Sequence, residues 1–407
     1  MRGVVACVVL AGCYRGTSSL APCTVQGLPG ESCGDGGNGD GAATKTCVTQ
    51  IALGRWHACV IRDDSTVWCA GYNGNGQLAN GNGGTSATFV QIPDINDATS
   101  IGTGWGQTCA IRAGGSVWCW GSNGNGELGA GGGPAPVQVV DTNGIPIANA
   151  VEVSGGSGYT CARLDDGTIT CWGRGNEGQL GDGLFTSRMA AGTVPGLPAA
   201  AALGAGRDHI CILGTDATMW CWGADNNGQI GDGNSGQGAT RGTPFPVPLP
   251  MSVKQIAPGA FHTCALLADT SVYCWGGNWQ QAVGIVNDGA TVPQPTAVQT
   301  AAGGNYAGAA SIAAGGGVSF ALMPDGHVES WGDSTHGQAG NGAGGLHPTP
   351  LQLENISRVV AQFAHACAIA RDGSYECWGR NSEGELGDGT YTNIALPRPL
   401  VSVCPSP

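Results

Sequence analysis

The segment Gly259-Ala260-Phe261-His262-Thr263-Cys264-Ala265-Leu266 leads through a short polar turn into Val272-Tyr273-Cys274-Trp275-Gly276. The same pattern recurs seven times along the chain. Successive copies of the position held by Cys264 lie 50, 52, 50, 53, 56 and 47 residues apart. A repeat of about this length is typical of propellers and solenoids. The seven anchors are Cys59, Cys109, Cys161, Cys211, Cys264, Phe320 and Cys367.

Each copy has the features of four short antiparallel strands. A β-like run ends in Gly, as at residues 256–259, and two more strands flank a polar turn such as residues 371–374. A Gly-rich loop and a Pro-rich run complete the unit. One such sheet cannot bury both of its faces, whereas seven sheets arranged face to face around an axis can. The sequence therefore predicts an all-β chain, a seven-bladed β-propeller of four-stranded antiparallel blades.

A Trp before the second Gly of each copy is expected to fill the space between blades, where large apolar side chains are most easily buried. The first copy has Ala70 at this position, so its packing must differ. The six tryptophans are Trp120, Trp172, Trp222, Trp275, Trp331 and Trp378.

The composition narrows the classes of function. The 407 residues include 74 Gly, only 11% are charged, and the formal net charge is −13. A net acidic chain without a basic block argues against a nucleic-acid partner, because such binding depends on Lys and Arg. Hydrophobic residues at 41% suffice for a core.

The first residues have the pattern of an export signal. Leu10-Ala11-Gly12-Cys13 follows a short apolar run and resembles a bacterial lipobox, in which the chain is cut before the Cys and that Cys is acylated. We therefore predict a lipoprotein signal peptide over residues 1–12, lipidation at Cys13, a Gly-rich flexible tether over 13–46 and the propeller over 47–407. The expected location is the cell envelope, facing the periplasm or the exterior, with the lipid as the only membrane contact.

Twelve cysteines form six pairs with an identical separation of ten residues, and each pair flanks a turn. Residues directly opposed on antiparallel strands lie close to the reach of a disulfide. The copy with Phe320 and Ser330 lacks both cysteines together, which favours pairs over zinc ligands or free thiols. Such bonds require an oxidising compartment. The predicted pairs are Cys59–Cys69, Cys109–Cys119, Cys161–Cys171, Cys211–Cys221, Cys264–Cys274 and Cys367–Cys377.

Four further cysteines, Cys23, Cys33, Cys47 and Cys404, allow three pairings. We predict Cys47–Cys404, because closure of the ring brings the two ends of the repeat region together. Cys23–Cys33 would then form a small loop in the tether.

The repeat resembles that of the regulator of chromosome condensation family. The resemblance is carried by residues 259–266 with Trp275-Gly276, and by the loops at 123–129 and 178–183. It implies a seven-bladed propeller over nearly all of the chain after the signal. It also implies two activities known in the family. The nuclear member is a nucleotide-exchange factor, and a secreted bacterial member inhibits β-lactamase through aromatic side chains that precede the repeated His.

The sequence contains no catalytic motif that we recognise, and we predict no metal site and no cofactor. The paired acids Asp63-Asp64 and Asp165-Asp166 fall at hairpin tips, where Asp is a turn residue. The position two residues before each anchor, here called the His slot, is expected to serve the blade itself. It holds His57, Gln107, Tyr159, His209, His262, Val318 and His365.

Large aromatic residues next to the His slot are the candidate binding residues, because they vary on a constant frame and aromatics are favoured anchors of protein interfaces. Packing in the mouth of the channel is the alternative. Trp279 joins them, because it lies in an atypical loop of the fifth copy. The candidates are Trp56, Trp105, Tyr159, Phe261, Phe363 and Trp279.

These observations favour a lipid-anchored, extracytoplasmic binding or scaffold module that is a monomer and not an enzyme, and that holds a protein or a glycan on one propeller face. A nucleotide-exchange factor for a small GTPase is one alternative, although the export signal and the paired cysteines disfavour it. A glycan-acting enzyme is another, and it would need carboxylates clustered near the channel.

Overall fold

The computed structural model describes residues 48–81, 83–286 and 291–399, which form seven four-stranded antiparallel sheets. Blades 1 and 2 comprise β1 Val48–Leu53, β2 His57–Arg62, β3 Val67–Gly71, β4 Ser86–Gln91, β5 Ala98–Thr103, β6 Gln107–Arg112, β7 Val117–Gly121 and β8 Val137–Gln138. Blades 3 and 4 comprise β9 Ala150–Gly155, β10 Tyr159–Leu164, β11 Ile169–Gly173, β12 Arg188–Thr193, β13 Ala200–Ala205, β14 His209–Gly214, β15 Met219–Ala224 and β16 Thr240–Pro246.

Blades 5 to 7 follow the same plan. They comprise β17 Val253–Pro258, β18 His262–Leu267, β19 Val272–Gly277, β20 Thr291–Ala297, β21 Ser311–Ala314, β22 Val318–Leu322, β23 Val328–Gly332, β24 Gly345–Pro350, β25 Ile356–Gln362, β26 His365–Ala370, β27 Tyr375–Gly379 and β28 Ile394–Pro399. The predicted all-β, seven-bladed propeller is confirmed. No helix in the described part of the chain is long and apolar enough to cross a bilayer.

Each blade is built from four strands that are consecutive in sequence, so no blade borrows a strand from another part of the chain. The first strands of neighbouring blades contact one another around the axis, and the ring closes where β1 meets β25 and β26. The loops after each first strand and each third strand therefore lie at one end of the channel. That end is called the mouth below.

The six predicted cross-strand disulfides are confirmed. In each hairpin the two cysteines oppose each other directly, with Cα atoms 4.1 Å apart. Blade 6 instead buries Phe320 opposite Ser330, and the Phe320 ring packs edge-on against Trp378 at 5.9 Å. Multiple disulfides are consistent with a location outside the cytoplasm.

The repeated tryptophans are the core between blades, as predicted. All six are fully buried, and each indole crosses to the preceding blade, where its Nε1 donates to a backbone carbonyl of the Gly-rich loop. Trp222, for example, donates to Gln179 O at 2.9 Å. One side chain thus supplies both apolar contact and a buried hydrogen bond at each of these junctions.

The His slot forms a second link between blades. His57 contacts Thr108 Oγ1 of the next blade at 2.9 Å, and His209 contacts Thr263 Oγ1 at 2.9 Å. Burial lowers the pKa of His57 to about 4 and that of His209 to about 3, because the cation would be desolvated there. These histidines are therefore neutral structural groups at pH 7.

The closing junction, between blade 7 and blade 1, departs from this plan. Ala70 replaces the tryptophan, and the ring of Phe89 on β4 covers Gly387 instead. Ala58 stands where blade 2 has Thr108, which removes the hydroxyl that a His-slot residue would meet. Both ring nitrogens of the buried His365 are without a hydrogen-bond partner among the described residues.

Several predictions from the sequence concern residues outside the described part of the chain. These are the signal peptide over 1–12, lipidation at Cys13, the tether over 13–46 and the pairings of Cys23 with Cys33 and of Cys47 with Cys404.

Candidate binding face at the channel mouth

The backbone before the His slot is fastened from blade to blade. Trp105 N donates to Gly156 O at 3.1 Å, Ser157 N donates to Arg207 O at 2.7 Å, and Gly316 N donates to Phe363 O at 2.6 Å. Because each of these bonds joins neighbouring blades, the residues around the mouth are held on a rigid frame. Side chains at these positions are therefore presented in a fixed arrangement.

Three of the predicted aromatic residues meet around one arginine. The guanidinium carbon of Arg55 lies 4.2 Å from the ring centre of Trp56, 3.9 Å from that of Trp105 and 4.8 Å from that of Phe363. Trp105 and Phe363 also touch edge to face at 5.9 Å. These residues come from blades 1, 2 and 7, and each distance is within cation–π range.

A second arginine continues the contact across the mouth. Arg207 lies 4.8 Å from the ring centre of Trp105 and 5.1 Å from that of Phe261, and Phe261 packs against Trp279 at 5.4 Å. Trp279 is 48% exposed, whereas the other members are half-buried. We call this connected set the mouth chain, and it consists of Phe363, Arg55, Trp56, Trp105, Arg207, Phe261 and Trp279.

Tyr159 is not part of this surface. It is fully buried between blades 3 and 4, and its hydroxyl donates to Gly206 O at 3.0 Å and to His209 O at 2.7 Å. Burial raises the pKa of its phenol well above the usual value. The structure therefore places Tyr159 in the link between blades, the role expected of the His slot.

Arg55 and Arg207 are the members of the mouth chain that the sequence prediction missed. They occupy the position two residues before the His slot, which in other blades holds Trp105 and Phe363. The sequence has both arginines at that variable position. A pattern defined by aromatic residues alone does not include the cations between them.

Several arginines lie at the mouth of this acidic protein, and most of them are paired with carboxylates there. Arg174 pairs with Asp208 at 2.8 Å and Arg207 with the same carboxylate at 3.0 Å. Arg55 has no ion pair within the described ranges, and its Nε is buried without a hydrogen-bond partner there. Burial, then the nearby charges of Arg207 and Arg380, lowers the pKa of the Arg55 guanidinium. The cation is thus stabilised mainly by ring faces.

Two depressions flank the mouth chain. One of about 360 Å³ lies over blades 1 to 3 and is lined by Arg55, Trp56, Trp105 and Arg174 together with the Gly-rich loops. The other, of about 510 Å³, lies between blades 5 and 6 beside Trp279. No group of three or more His, Cys, Asp or Glu residues in the described ranges is arranged to hold a metal ion.

The acid pairs at the hairpin tips act as turn residues. Asp64 Oδ1 accepts from Thr66 N at 3.0 Å, and Asp166 Oδ1 accepts from Thr168 N at 2.8 Å. These bonds lower the pKa of both carboxyl groups. Both acid pairs lie in turns between second and third strands, at the end of the channel opposite the mouth.

Comparison with known proteins places this architecture in a family. The model of the regulator of chromosome condensation (RCC1) repeat matches residues 48–77, 98–127, 150–179 and 201–229, and a second model of that repeat matches residues 216–266. Human WBSCR16 is similar in structure, with 20% identity over 83% of this chain and 93% of its own, and a TM-score of 0.71.

Yeast RCC1 (Prp20), solved bound to Kap60, shares 22% identity over 88% of this chain and 85% of its own, with a TM-score of 0.72. A second structure of Prp20p from Saccharomyces cerevisiae, studied for binding to Gsp1p and histones, gives 20% identity, coverage of 87% and 77%, and a TM-score of 0.56. At this identity the likeness concerns the fold. The matched repeats and the seven four-stranded blades of the described residues identify the chain as a member of the RCC1-repeat β-propeller family.

Proposed function

We propose that this propeller is a non-enzymatic binding module outside the cytoplasm, anchored by lipid at Cys13, that grips an acidic segment of a protein partner at its mouth. One observation carries the proposal. Arg55 and Arg207 are held among aromatic rings from blades 1, 2, 5 and 7, and Arg55 has no carboxylate partner within the described residues.

The chemistry of the mouth chain suits a protein partner. Aromatic and Arg side chains are the residues that most often dominate binding energy at protein interfaces. A half-buried guanidinium pays part of its desolvation cost before binding, so a carboxylate from a partner gains a strong, charge-assisted hydrogen bond. Arg55 has no ion pair within the described ranges, so it is the cation that a carboxylate of an acidic segment would meet.

Nucleotide exchange on a small GTPase is the alternative that the family suggests, since Prp20p has been studied for binding to Gsp1p. Such a partner works in a reducing compartment. Six blade disulfides and the lipobox-like start favour a protein of an oxidising compartment, and hence the binding role proposed here.

The test is affinity capture with the oxidised mature chain as bait and envelope extract of the host as the source. Quantitative mass spectrometry compares the wild type with Arg55→Gln and Trp105→Ala. Trp220→Ala is the matched control, because this partly buried indole lies near a hairpin tip at the other end of the strands. We expect a partner that is retained by the wild type and the control and reduced about ten-fold by each mouth variant.

The same capture repeated at rising salt tests the charge component, because an acidic partner should be released as screening increases. Equal retention by the wild type and both mouth variants would assign the mouth chain to packing. A bait that retains nothing specific would contradict the proposal.

A further inference from the structure

We propose that the depression between blades 5 and 6, which shares Trp279 with the mouth chain, is a binding site for a neutral carbohydrate. We call it the groove. Its described lining consists of Trp279, Gln280, Gln281, Gly332, Asp333, Ser334, Thr335, Ala343 and Gly345, around a volume of about 510 Å³.

One glycine of the repeat is replaced beside the groove. In six blades the third-to-fourth-strand loop has Gly at a fixed position with φ between 77° and 85°. The next blade fills the space where a Cβ would lie, so only Gly allows the contact. These glycines are Gly76, Gly126, Gly178, Gly228, Gly337 and Gly384.

Blade 5 has Gln281 at this position, still in the left-handed region with φ 63°. A residue with a side chain is disfavoured there, and such conformations concentrate at functional sites. The loop is otherwise ordinary, since Asn278 Oδ1 accepts from Val283 N at 3.1 Å as its counterparts do in other blades. Gln281 therefore brings a side chain to a junction where the other blades have none, and it lines the groove together with Gly345 of β24.

Two other repeat positions change at the same junction. Ser334 stands where most blades have the Asn or Asp that caps this loop, and its Oγ is buried without a hydrogen-bond partner in the described part of the chain. Trp279 takes the position of small residues such as Gly74 and Gly124. Three departures from the repeat thus line one groove, and each adds a group that could face a ligand.

These groups match the chemistry of a sugar. The indole of Trp279, 48% exposed and supported by Phe261, offers an apolar face for the C–H side of a pyranose ring. Amide and hydroxyl groups can both donate to and accept from sugar hydroxyls. Gln281 is exposed, and Ser334 Oγ has no hydrogen-bond partner within the described residues.

The polar groups are also positioned. Asp333 Oδ2 accepts from Gln280 Nε2 at 2.8 Å and from Thr335 Oγ1 at 3.1 Å, which fixes both side chains beside the groove. Asp333 is the one charged residue among the described lining residues. Its negative charge disfavours uronic or sulfated sugars, so the expected ligand is neutral.

The test uses saturation-transfer NMR and calorimetry on the full oxidised chain with cellotetraose, maltotetraose, mannotetraose and the tetramer of N-acetylglucosamine. A tetramer of galacturonic acid serves as the anionic comparison. We expect at least one neutral tetrasaccharide to bind and the anionic one not to bind.

Gln281→Gly is the decisive variant. It removes the ligand-facing amide and restores the residue found in the other blades, so it should weaken sugar binding about ten-fold without lowering Tm. Trp279→Ala should abolish binding, and Trp220→Ala should leave it intact. No binding by any neutral tetrasaccharide, or unchanged affinity in Gln281→Gly and Trp279→Ala, would overturn the proposal.

Because Trp279 belongs to both sites, the two proposals are separated by variants of residues that belong to only one of them. Gln281 is not a member of the mouth chain, so Gln281→Gly should capture the protein partner as the wild type does. Arg55→Gln, in turn, should bind the tetrasaccharide normally.

Discussion

The junction between blades 3 and 4 and the junction that closes the ring are built differently. At the first, Trp222 donates to Gln179 O, Tyr159 bonds to two carbonyls of blade 4, and a linker joins the blades. At the second, Ala70 replaces the tryptophan and the Phe89 ring covers Gly387. The tryptophan contact is thus used at a junction where a linker connects the blades. The junction that closes the ring is packed by a different side chain, Phe89.

The His slot shows the same contrast. Val318 of blade 6 precedes a blade that offers Ala366 at the corresponding position, so an apolar residue meets an apolar one. His365 of blade 7 precedes a blade that offers Ala58, and its imidazole has no partner in the described ranges. Closure therefore leaves a buried polar group unsatisfied, and such a group costs stability.

The largest expected effect comes from the predicted clasp between Cys47 and Cys404. Six residues separate the end of β4 from β5, the end of β12 from β13 and the end of β16 from β17. Counted in sequence, residues 400–404 together with Cys47 would supply a bridge of the same length between β28 and β1. The disulfide would thus complete the missing linker.

We expect the double change Cys47→Ser and Cys404→Ser to lower the free energy of unfolding by about 6 kcal/mol, as the chain-entropy model gives for so long a loop. Guanidinium denaturation without reductant measures it. The matched control, Cys23→Ser with Cys33→Ser, should leave the stability of the propeller unchanged. A peptide linking Cys47 to Cys23 or Cys33 on non-reducing mapping would refute the pairing.

The next largest effects come from removing the large apolar side chains that fill these two junctions, Trp222 and Phe89. Trp222→Ala should cost about 4 kcal/mol and Phe89→Ala about 3 kcal/mol, because each empties a buried space between blades. Equilibrium denaturation of both variants measures the costs. Should Phe89→Ala cost under about 1 kcal/mol, Phe89 would not be the substitute for the missing tryptophan.

The smallest effect at pH 7 concerns His365, and it grows as the pH falls. Burial, then His57 and Arg380, lowers the pKa of His365 to about 3 in the folded protein, below the value of about 6.5 for an unfolded chain. The unfolded state therefore binds more protons below about pH 6.5, and the folded protein loses stability as pH falls. His365→Val removes this loss and also the unsatisfied ring.

We expect His365→Val to gain about 1 kcal/mol at pH 7 and a further 2–3 kcal/mol, approximately, by pH 4.5. The control His209→Val should lose stability at pH 7, because it gives up the bond to Thr263, while showing the same pH trend. Parallel denaturation series at the two pH values measure both. A destabilised His365→Val at pH 7 would show that the imidazole is satisfied.

The fold could be predicted because its determinants repeat. The ten-residue spacing of each Cys pair and the tryptophan before each second Gly report local pairing and blade contact, which are the same in every unit. Phe89 could not be assigned, since it lies on a fourth strand, where the sequence has no common pattern. Its role depends on which blade follows in space.

The site was predicted in part for the same reason. Trp56, Trp105, Phe261, Phe363 and Trp279 do meet at the mouth, because the loops that carry them all lie at that end of the channel. Tyr159 is the exception, because it occupies the His slot itself and its side chain lies between blades 3 and 4. The arginines and the groove depend on contacts across the ring, and a position in a repeat does not report those.

Each blade draws its four strands from one continuous stretch of chain. The strand pairing within the blades therefore does not depend on which blade comes first in the sequence. A circular permutant that starts at residue 196, in the link from blade 3 to blade 4, with the old ends joined by a peptide, keeps every sheet whole. It moves the chain break to the junction of blades 3 and 4, where Trp222 is present. The junction of blades 7 and 1, which lacks the tryptophan, is then joined by a continuous peptide chain.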